Sequence, residues 1–364
     1  MKCKTYAIRK GYDGKRCLVH ARCCYTPDLM VATAQYLNVT GSDLFSGLLA
    51  SFSYDDGKTW TEFEPQKNLQ PIDNGEYITV GCDATPMYHK RTNKILILGH
   101  TANYSKDGLM HSSNKNRFTF YSVFDKEKKE FQPMKFLKMP SGFENCGNGS
   151  GQSVELENGD LLVPVYYKKE NEQKWFSMVL KCSFDGESIA VLEMGKPLTV
   201  DLISGLVEPS VVYYKGLYYI TLRNYECGLV AKSEDGLNYT DLQLWKWEDG
   251  SILQNYNTQQ HWMRVDDQLY LVYTRRNANN DHVFRHRAPL FAARVENMRL
   301  IRGSEFIVAP EKGARLGNFG AAPYKEKGAV VMAAEWMQSW GEKLNICEKY
   351  GSDNNIYVSK VGCR

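Results

Sequence analysis

The apolar residues of this chain occur in short runs of strand length, separated by polar turn residues, and helical periodicity is nearly absent. Four runs have clear bounds, at residues 94–98, 161–165, 217–222 and 269–273. Three of them follow turn signals, namely Glu157-Asn158-Gly159-Asp160, Lys215-Gly216 and Asp266-Asp267. A turn between two such runs is what a β-hairpin requires. The pattern predicts an all-β protein, and evenly spaced short strands occur in sandwiches, barrels and propellers.

One motif sets the length of the repeat. Residues 53–60 read S-Y-D-D-G-K-T-W, an Asp box, in which the Asp and Gly close a tight turn between two outer strands and the Trp packs beneath it. Degenerate copies follow further along the chain, centred on Asp125, Asp185, Asp235 and Glu296. Successive copies are 70, 60, 50 and 61 residues apart, and a mean near 60 divides 364 residues into six units.

The repeat predicts a six-bladed β-propeller, with Asp55, Asp185 and Asp235 at equivalent blade turns on one rim. Residues 357–359 are expected to complete the last blade beside an N-terminal strand, which would close the ring without free edges. No linker rich in Pro, Gly or Ser interrupts the series, so residues 1–364 are predicted to form a single β-propeller domain.

Composition narrows the classes of function. The net charge is +3 and the isoelectric point about 8.2, a balance too mild to indicate nucleic acid or an anionic membrane surface as a partner. No apolar run reaches the length of about 18 residues that a spanning helix needs. The N-terminus lacks the apolar stretch of a signal peptide, which favours a cytoplasmic location, or a periplasmic or secreted one if this is a mature chain. The ten cysteines form no disulfide framework or zinc motif, and no metal or cofactor is expected.

Three segments carry candidate chemistry. The first holds His20 and Arg22 and continues to Asp43, ahead of the Asp box. The second runs from Glu208, in Val-Glu-Pro-Ser, through a hairpin to Arg223. The third, residues 257–287, combines arginines and histidines but contains no lysine or glutamate, unlike an ordinary solvated surface; its candidates are Gln260, His261, Arg276, His282, Arg285 and Arg287. A planar guanidinium binds a carboxylate through two parallel hydrogen bonds, so the segment predicts an anionic ligand.

The chain resembles the sialidase (neuraminidase) superfamily over essentially its whole length, and more closely the bacterial proteins with BNR repeats. The resemblance rests on the Asp boxes and on the strings N-T-Q-Q-H-W at 257–262 and A-N-N-D-H-V-F-R-H-R-A-P-L-F at 278–291. It implies that three arginines, Arg22, Arg223 and Arg287, converge on one pocket and hold the carboxylate of the substrate. It further implies that Asp43 is the acid/base and that Glu208 assists a nucleophilic tyrosine.

The chain also departs from the sialidase pattern. Cys23 and Cys24 follow Arg22 where the usual motif has Ile-Pro, and the surroundings of Tyr324 do not match those of the nucleophile. Arg275, Arg276, Arg285 and Arg315 are alternative members of the arginine set. The histidines of the third segment have no role in a sialidase.

Three functions are compatible with these residues, and each has a glycan as its partner. The first is a glycoside hydrolase that removes a sialate-like or uronate-like sugar from a glycan end, with Asp43 as acid/base. The second is a polysaccharide lyase or unusual glycosidase in which His261 or His282 acts as the base and arginine neutralises a uronate carboxylate. The third is a glycan-binding propeller without catalysis. The sequence does not predict the oligomeric state.

Overall fold

The computed structural model describes residues 1–39, 43–108, 117–143, 145–337 and 343–362. The chain divides into two compact units. The first unit consists of residues 1–45, 50–63 and 244–364, and the second of residues 46–49 and 64–243. Whether residues 1–364 form a single domain stays a prediction.

In the described ranges, twenty-eight strands form six antiparallel sheets, and β1 (Cys3–Arg9) belongs to the last of them. Sheet 1 contains β2 (Arg16–Tyr25), β3 (Met30–Asn38), β4 (Phe45–Ser53) and β5 (Glu64–Pro65). Sheet 2 contains β6 (Ile72–Asp73), β7 (Ile78–His89), β8 (Lys94–Tyr104), β9 (Thr119–Asp125), β10 (Glu130–Phe131) and β11 (Lys135–Phe136). Sheet 3 contains β12 (Cys146–Gly147), β13 (Val154–Glu155), β14 (Leu161–Tyr167), β15 (Phe176–Phe184) and β16 (Ile189–Met194).

The remaining three sheets repeat the pattern. Sheet 4 contains β17 (Val207–Tyr214), β18 (Leu217–Arg223), β19 (Gly228–Ser233) and β20 (Thr240–Leu244). Sheet 5 contains β21 (His261–Val265), β22 (Gln268–Tyr273), β23 (Leu290–Glu296), β24 (Arg299–Leu300) and β25 (Phe306–Ala309). Sheet 6 contains β26 (Phe319–Tyr324), β27 (Gly328–Ala334), β28 (Ile356–Val361) and β1. The described part of the chain adds one short helix, α1 (Lys343–Lys349), and three 3-10 turns at 67–69, 284–286 and 302–304.

The predicted six-bladed repeat is confirmed. Each of the four strand-length runs lies in a strand, and β28 pairs with β1 so that Ser359 lies opposite Thr5. Asp55, Asp185 and Asp235 each follow the third strand in the spatial order of their sheet. The Asp55 carboxylate accepts hydrogen bonds from the backbone N–H groups of residues 58 and 59, and Asp235 accepts the equivalent bonds from residues 237 and 238. These turns are local structures, which explains why the sequence predicts them.

Apolar faces of neighbouring sheets form the core of each unit. In the first unit, sheets 5 and 6 bury Val272, Tyr270, Val331 and Tyr357 among others. In the second unit, the core between sheets 2 and 3 includes Leu96, Leu98, Val163 and Leu180. Within the described residues, no helix is long and apolar enough to cross a membrane.

The first long strand of sheets 1, 2 and 4 carries a β-bulge at the same place. Register shifts between Val19 and Arg22, between Cys82 and Thr85, and between Val207 and Ser210 each insert one residue. The first residue of each bulge is polar and has a left-handed backbone: His20 (φ 56°), Asp83 (φ 52°) and Glu208 (φ 49°). Such a conformation costs a non-glycine residue on the order of 1–3 kcal/mol and concentrates at functional sites. A bulge also re-aims the side chains around it.

Candidate active site

The second unit contains an ion pair between two of the sequence candidates, Glu208 and Arg223. Glu208 lies in the bulge of β17 and Arg223 ends β18, and Arg223 Nη1 lies 2.5 Å from Glu208 Oε1. Both side chains are mostly buried, with 14% and 13% of their surfaces exposed. Burial by itself lowers the pKa of the Arg223 guanidinium, but the ion pair more than offsets this, so the pKa is raised. Arg223 is therefore a permanent cation whose charge Glu208 largely neutralises.

A tyrosine and a histidine meet in the same unit. Tyr166 lies near the end of β14 and His100 near the end of β8, and Tyr166 Oη is 3.4 Å from His100 Nδ1. Arg117 Nη1 donates a 2.9 Å hydrogen bond to Tyr166 Oη, and its guanidinium lies over the rings of Tyr166 and Trp175. Burial raises the pKa of the Tyr166 phenol well above its usual range; Arg117 opposes the rise, and Glu208 and Asp83 add to it. The phenol is therefore protonated at neutral pH and able to donate a proton.

The bulge residue Asp83 lies beside the histidine. Asp83 Oδ2 lies 4.0 Å from His100 Nε2, and Asp83 Oδ1 accepts a 2.9 Å hydrogen bond from the hydroxyl of Ser150. Ser150 belongs to the segment C-G-N-G-S-G at 146–151, whose glycines leave room for the cluster. A Cβ on Gly149 would lie 1.6 Å from His100 Nδ1, and one on Gly147 would lie 2.6 Å from His100 Cβ. This segment packs directly against the imidazole.

We call Asp83, His100, Arg117, Tyr166, Glu208 and Arg223 the His100 cluster. The buried atoms of the cluster that have no hydrogen-bond partner among the described residues include Arg117 Nε and Glu208 Oε2. Nor does any described carboxylate lie within ion-pair distance of Arg117. Buried polar atoms normally have partners, so these two are suited to a polar ligand.

We predict that Gly149→Ala lowers the activity of the protein with little effect on its fold. The φ angle of Gly149 lies outside the left-handed region, so alanine is compatible with the backbone, and the change isolates the clash with His100. A displacement of about 1 Å in a catalytic group can cost roughly 10²-fold in turnover. Turnover and the thermal midpoint of unfolding should be measured together.

Gly303→Ala is the matched control for this variant, because nothing lies within 4 Å of a Cβ built at Gly303. The control should keep full activity. Equal turnover in Gly149→Ala and the wild type would show that the position of His100 does not matter.

The first unit contains a second cluster around Asp43, which is exposed and follows residues outside the described ranges. Arg315 is buried, with its guanidinium 4.4 Å from the ring centre of Trp336 and 5.1 Å from that of Phe284. Burial lowers the pKa of Arg315 to about 10; the charge of Asp43 acts in the opposite direction, and that of Arg285 adds to the lowering. The sequence candidates Asp43, Arg285 and Arg315 thus lie close enough to interact, and we call them the Asp43 cluster.

Arg22 lies inside the first unit. None of its surface is exposed; Arg22 Nε donates to the backbone oxygen of Phe319 at 3.2 Å, and Nη2 donates to Gln259 Oε1 at 3.3 Å. His261 is equally buried, and burial together with the charge of Arg22 lowers its pKa to about 3. In this conformation Arg22 bonds protein atoms and His261 is neutral at pH 7, and a role of either residue in binding or catalysis stays a prediction.

The other candidates of the third segment make separate contacts. Arg287 is buried and donates from Nε to the backbone oxygen of Asn257 at 3.0 Å. Gln260 is also buried, and its side-chain amide donates to the backbone oxygen of Thr258.

The remaining candidates of this segment contact other side chains. His282 forms a hydrogen bond with Glu311 at 2.9 Å and stacks on Tyr350. The exposed Arg276 lies over the ring of Tyr256. Convergence of Arg22, Arg223 and Arg287 on one pocket stays a prediction.

Tyr324, the residue weighed as a nucleophile, lies at the Asp-box turn of sheet 1, where its hydroxyl donates to the backbone oxygen of Asp56 at 3.4 Å. It is buried and belongs to the supporting structure of that turn. Among the described residues, no group of three or more His, Cys, Asp or Glu side chains is placed to hold a metal ion.

Sequence reasoning missed four members of the His100 cluster, namely Asp83, His100, Arg117 and Tyr166. Two signals could have pointed to them. Asp83-Ala84-Thr85-Pro86 has a polar residue followed by small residues and a proline, much like the Glu208-Pro209-Ser210 string. The three alternating glycines of residues 146–151 mark a place where the backbone must approach other atoms closely.

The sheets and their Asp-box turns define a sialidase-like six-bladed β-propeller. The chain belongs to the family described as the BNR repeat-like domain, whose sequence profile matches residues 28–261. A comparison with curated protein sequences finds no match.

Solved structures with the same fold cover the chain. A protein of unknown function from Dyadobacter fermentans is similar with a TM-score of 0.69 and 16% identity, over 100% of this chain and 99% of its own. The Trypanosoma rangeli sialidase has a TM-score of 0.65 and 16% identity over 99% of this chain, which spans 59% of that enzyme. The NanB sialidase from Streptococcus pneumoniae has a TM-score of 0.62 and 10% identity, over 97% of this chain and 70% of its own. At these identities the likeness shows the fold alone.

Proposed function

We propose that this protein is a carbohydrate-active enzyme that cleaves a glycosidic bond next to an acidic sugar, and that the His100 cluster carries out the reaction. The observation that carries the proposal is the contact of Tyr166 with His100, at 3.4 Å, beside the guanidinium of Arg117, which forms no ion pair with a described carboxylate. His100 as the base, Tyr166 as the acid and Arg117 as the cation that binds a carboxylate thus lie within one small site. The sialidases among the structural neighbours act on acidic sugars, which is consistent with such a substrate.

The reaction that this set of groups suits best is β-elimination from a uronate. Arg117 binds the sugar carboxylate and stabilises the negative charge that develops when the neighbouring carbon loses its proton. His100 takes that proton. The C–O bond to the leaving sugar then breaks, and Tyr166 donates its phenolic proton to the departing oxygen. The products are a free hydroxyl end and a sugar with a new C=C bond, and no water is consumed.

Elimination fits the cluster better than hydrolysis through a carboxylate nucleophile. Glu208 is engaged by Arg223, and Asp83 is hydrogen-bonded to Ser150 and faces His100. Hydrolysis by the common route needs two carboxyl groups that flank the scissile bond. A tyrosine nucleophile would have to be ionised, whereas burial keeps Tyr166 protonated.

The test is an activity screen of the purified chain. We expect release of unsaturated products, seen as new ultraviolet absorbance, from at least one polymer with carboxylated sugars, and none from neutral polysaccharides. Aryl sialosides and aryl uronosides should be tried beside the polymers. Release of aglycone from these without new ultraviolet absorbance would contradict elimination.

A second candidate is hydrolysis at the Asp43 cluster, with Asp43 as general acid. It is favoured by the interaction of Asp43 with the buried Arg315. In that case Asp43→Asn should lower turnover by roughly 10²–10⁴-fold on a natural substrate and much less on a substrate with a good leaving group. If the reaction is elimination at His100, Asp43→Asn should change turnover by the same factor on the natural substrate and on the substrate with a good leaving group.

A further inference from the structure

The first unit contains a cavity of about 1080 Å³ whose lining is rich in lysine. Its charged lining residues are Lys2, Lys4, Lys58, Lys325, Lys327, Lys360, Asp266 and Glu326. Among the described lining residues, six positive and two negative side chains give the cavity a formal charge of +4, against +3 for the whole chain. The rest of the chain therefore has a formal charge of −1, so this cavity is more positive than its surroundings.

The Asp-box turn of sheet 1 contacts several lining residues of this cavity. Tyr6 Oη donates to the backbone oxygen of Gly57, and Lys360 Nζ donates to that of Asp56. Lys325 Nζ lies 2.9 Å from Asp56 Oδ2. Two of the six lysines thus hold the turn in place and are positioned by it.

The other four lysines have no such role. Lys2, Lys4, Lys58 and Lys327 are exposed, and in the described part of the chain no carboxylate lies within ion-pair distance of them. Like charges gathered in a concave surface repel one another and create a positive potential that attracts anions. Repulsion among these lysines destabilises the free protein, and a bound polyanion would remove that repulsion.

We propose that this lysine groove is a second, non-catalytic binding site for an acidic polysaccharide. Its volume exceeds the range of about 300–1,000 Å³ usual for small-molecule sites, so an extended ligand fits better than a single sugar. A polysaccharide fits better than single-stranded nucleic acid, which needs exposed aromatic rings for base stacking. Of the two rings in the described lining, Tyr324 is 3% exposed and Tyr6 is half-buried. Among the described lining residues there is no arginine, the usual partner of phosphate.

The groove would hold a polymer while cleavage takes place elsewhere on the protein. The proposal does not depend on the identity of the catalytic residues. It predicts binding to long acidic chains, whereas the proposed function predicts bond cleavage, so either can fail without the other.

The test compares two triple variants of the full chain with equal changes in charge. The groove variant is Lys4→Glu, Lys58→Glu and Lys327→Glu. The control is Lys67→Glu, Lys138→Glu and Lys196→Glu, which are exposed lysines of the second unit without ion pairs. Affinity electrophoresis is run in gels that contain polygalacturonate, dextran sulfate, neutral dextran or double-stranded DNA. The same variants are also made in a protein that carries Tyr166→Phe, so that cleavage of the polymer in the gel does not reduce the measured retardation.

We expect both acidic polysaccharides to retard the wild type and the control, and neutral dextran to retard neither. The groove variant should bind roughly tenfold more weakly or worse, because attraction becomes repulsion at three positions. Its turnover on a short substrate should be unchanged. Equal retardation of the two variants, or retardation of the wild type by DNA alone, would overturn the proposal.

Discussion

Replacing Tyr166 with phenylalanine is expected to lower turnover by roughly 10²–10⁴-fold, the usual contribution of a positioned general acid. The phenol is buried, contacts His100 and accepts a hydrogen bond from Arg117, so it is the group in the cluster best placed to donate a proton. Removal of one oxygen leaves the ring and its packing against Trp175 in place. Turnover should therefore fall while the thermal midpoint changes little.

Tyr167→Phe is the matched control. Tyr167 is the next residue of β14, is equally buried and points to the opposite face of the sheet, where it stacks on Phe176. We expect this variant to keep wild-type turnover. Equal losses in the two variants would mean that the loss comes from the strand and not from the phenol.

Replacing His100 with alanine should have an effect of similar size, roughly 10²–10⁴-fold in turnover, because the base is lost. Arg117 still binds the sugar carboxylate, so KM should change much less than kcat. The change leaves a space beside Gly149 that matches the imidazole ring. Added imidazole is expected to restore part of the turnover, which a merely structural role of His100 would not allow.

His89→Ala serves as the control for this rescue. His89 is fully buried, and its two ring nitrogens bond Thr92 and the backbone oxygen of Gly159. The variant should be less stable, and imidazole should not raise its turnover. If imidazole fails to rescue His100→Ala on any substrate, His100 is not the base.

The fold could be predicted from the sequence because its signals are local. The Asp-box turns are held by bonds between residues two to four positions apart, such as Asp55 with Thr59 and Asp235 with Asn238. Hairpins likewise join strands that follow one another directly. Five copies of one local pattern, about 60 residues apart, then specify six blades in a chain of 364 residues.

The candidate site could be predicted only in part, because its contacts are not local. Glu208 and Arg223 are 15 residues apart across one hairpin, so the sequence brings them together. His100 and Tyr166 are 66 residues apart, on strands of different sheets, and no local pattern joins them. His100 and Tyr166 come together because of the register of β8 and of β14 within their sheets.

The bulges explain the position of Arg22. Side chains of a strand alternate between its two faces, and an inserted residue shifts that alternation for everything that follows it. Arg22 comes directly after the bulge at His20, so the alternation of the preceding residues does not predict where it points. The structure buries it against the backbone of Phe319 and the side chain of Gln259.

The most direct test of the central claim is the fate of water in the reaction. The protein is incubated with an acidic polysaccharide in water enriched in oxygen-18, and the masses of the products are measured by mass spectrometry. Elimination by the His100 cluster predicts products that carry no label and sum to the mass of the substrate, with one fragment unsaturated. Hydrolysis adds one labelled water per cleaved bond. Labelled, saturated products whose formation survives Tyr166→Phe but not Asp43→Asn would contradict the account and assign the chemistry to the Asp43 cluster.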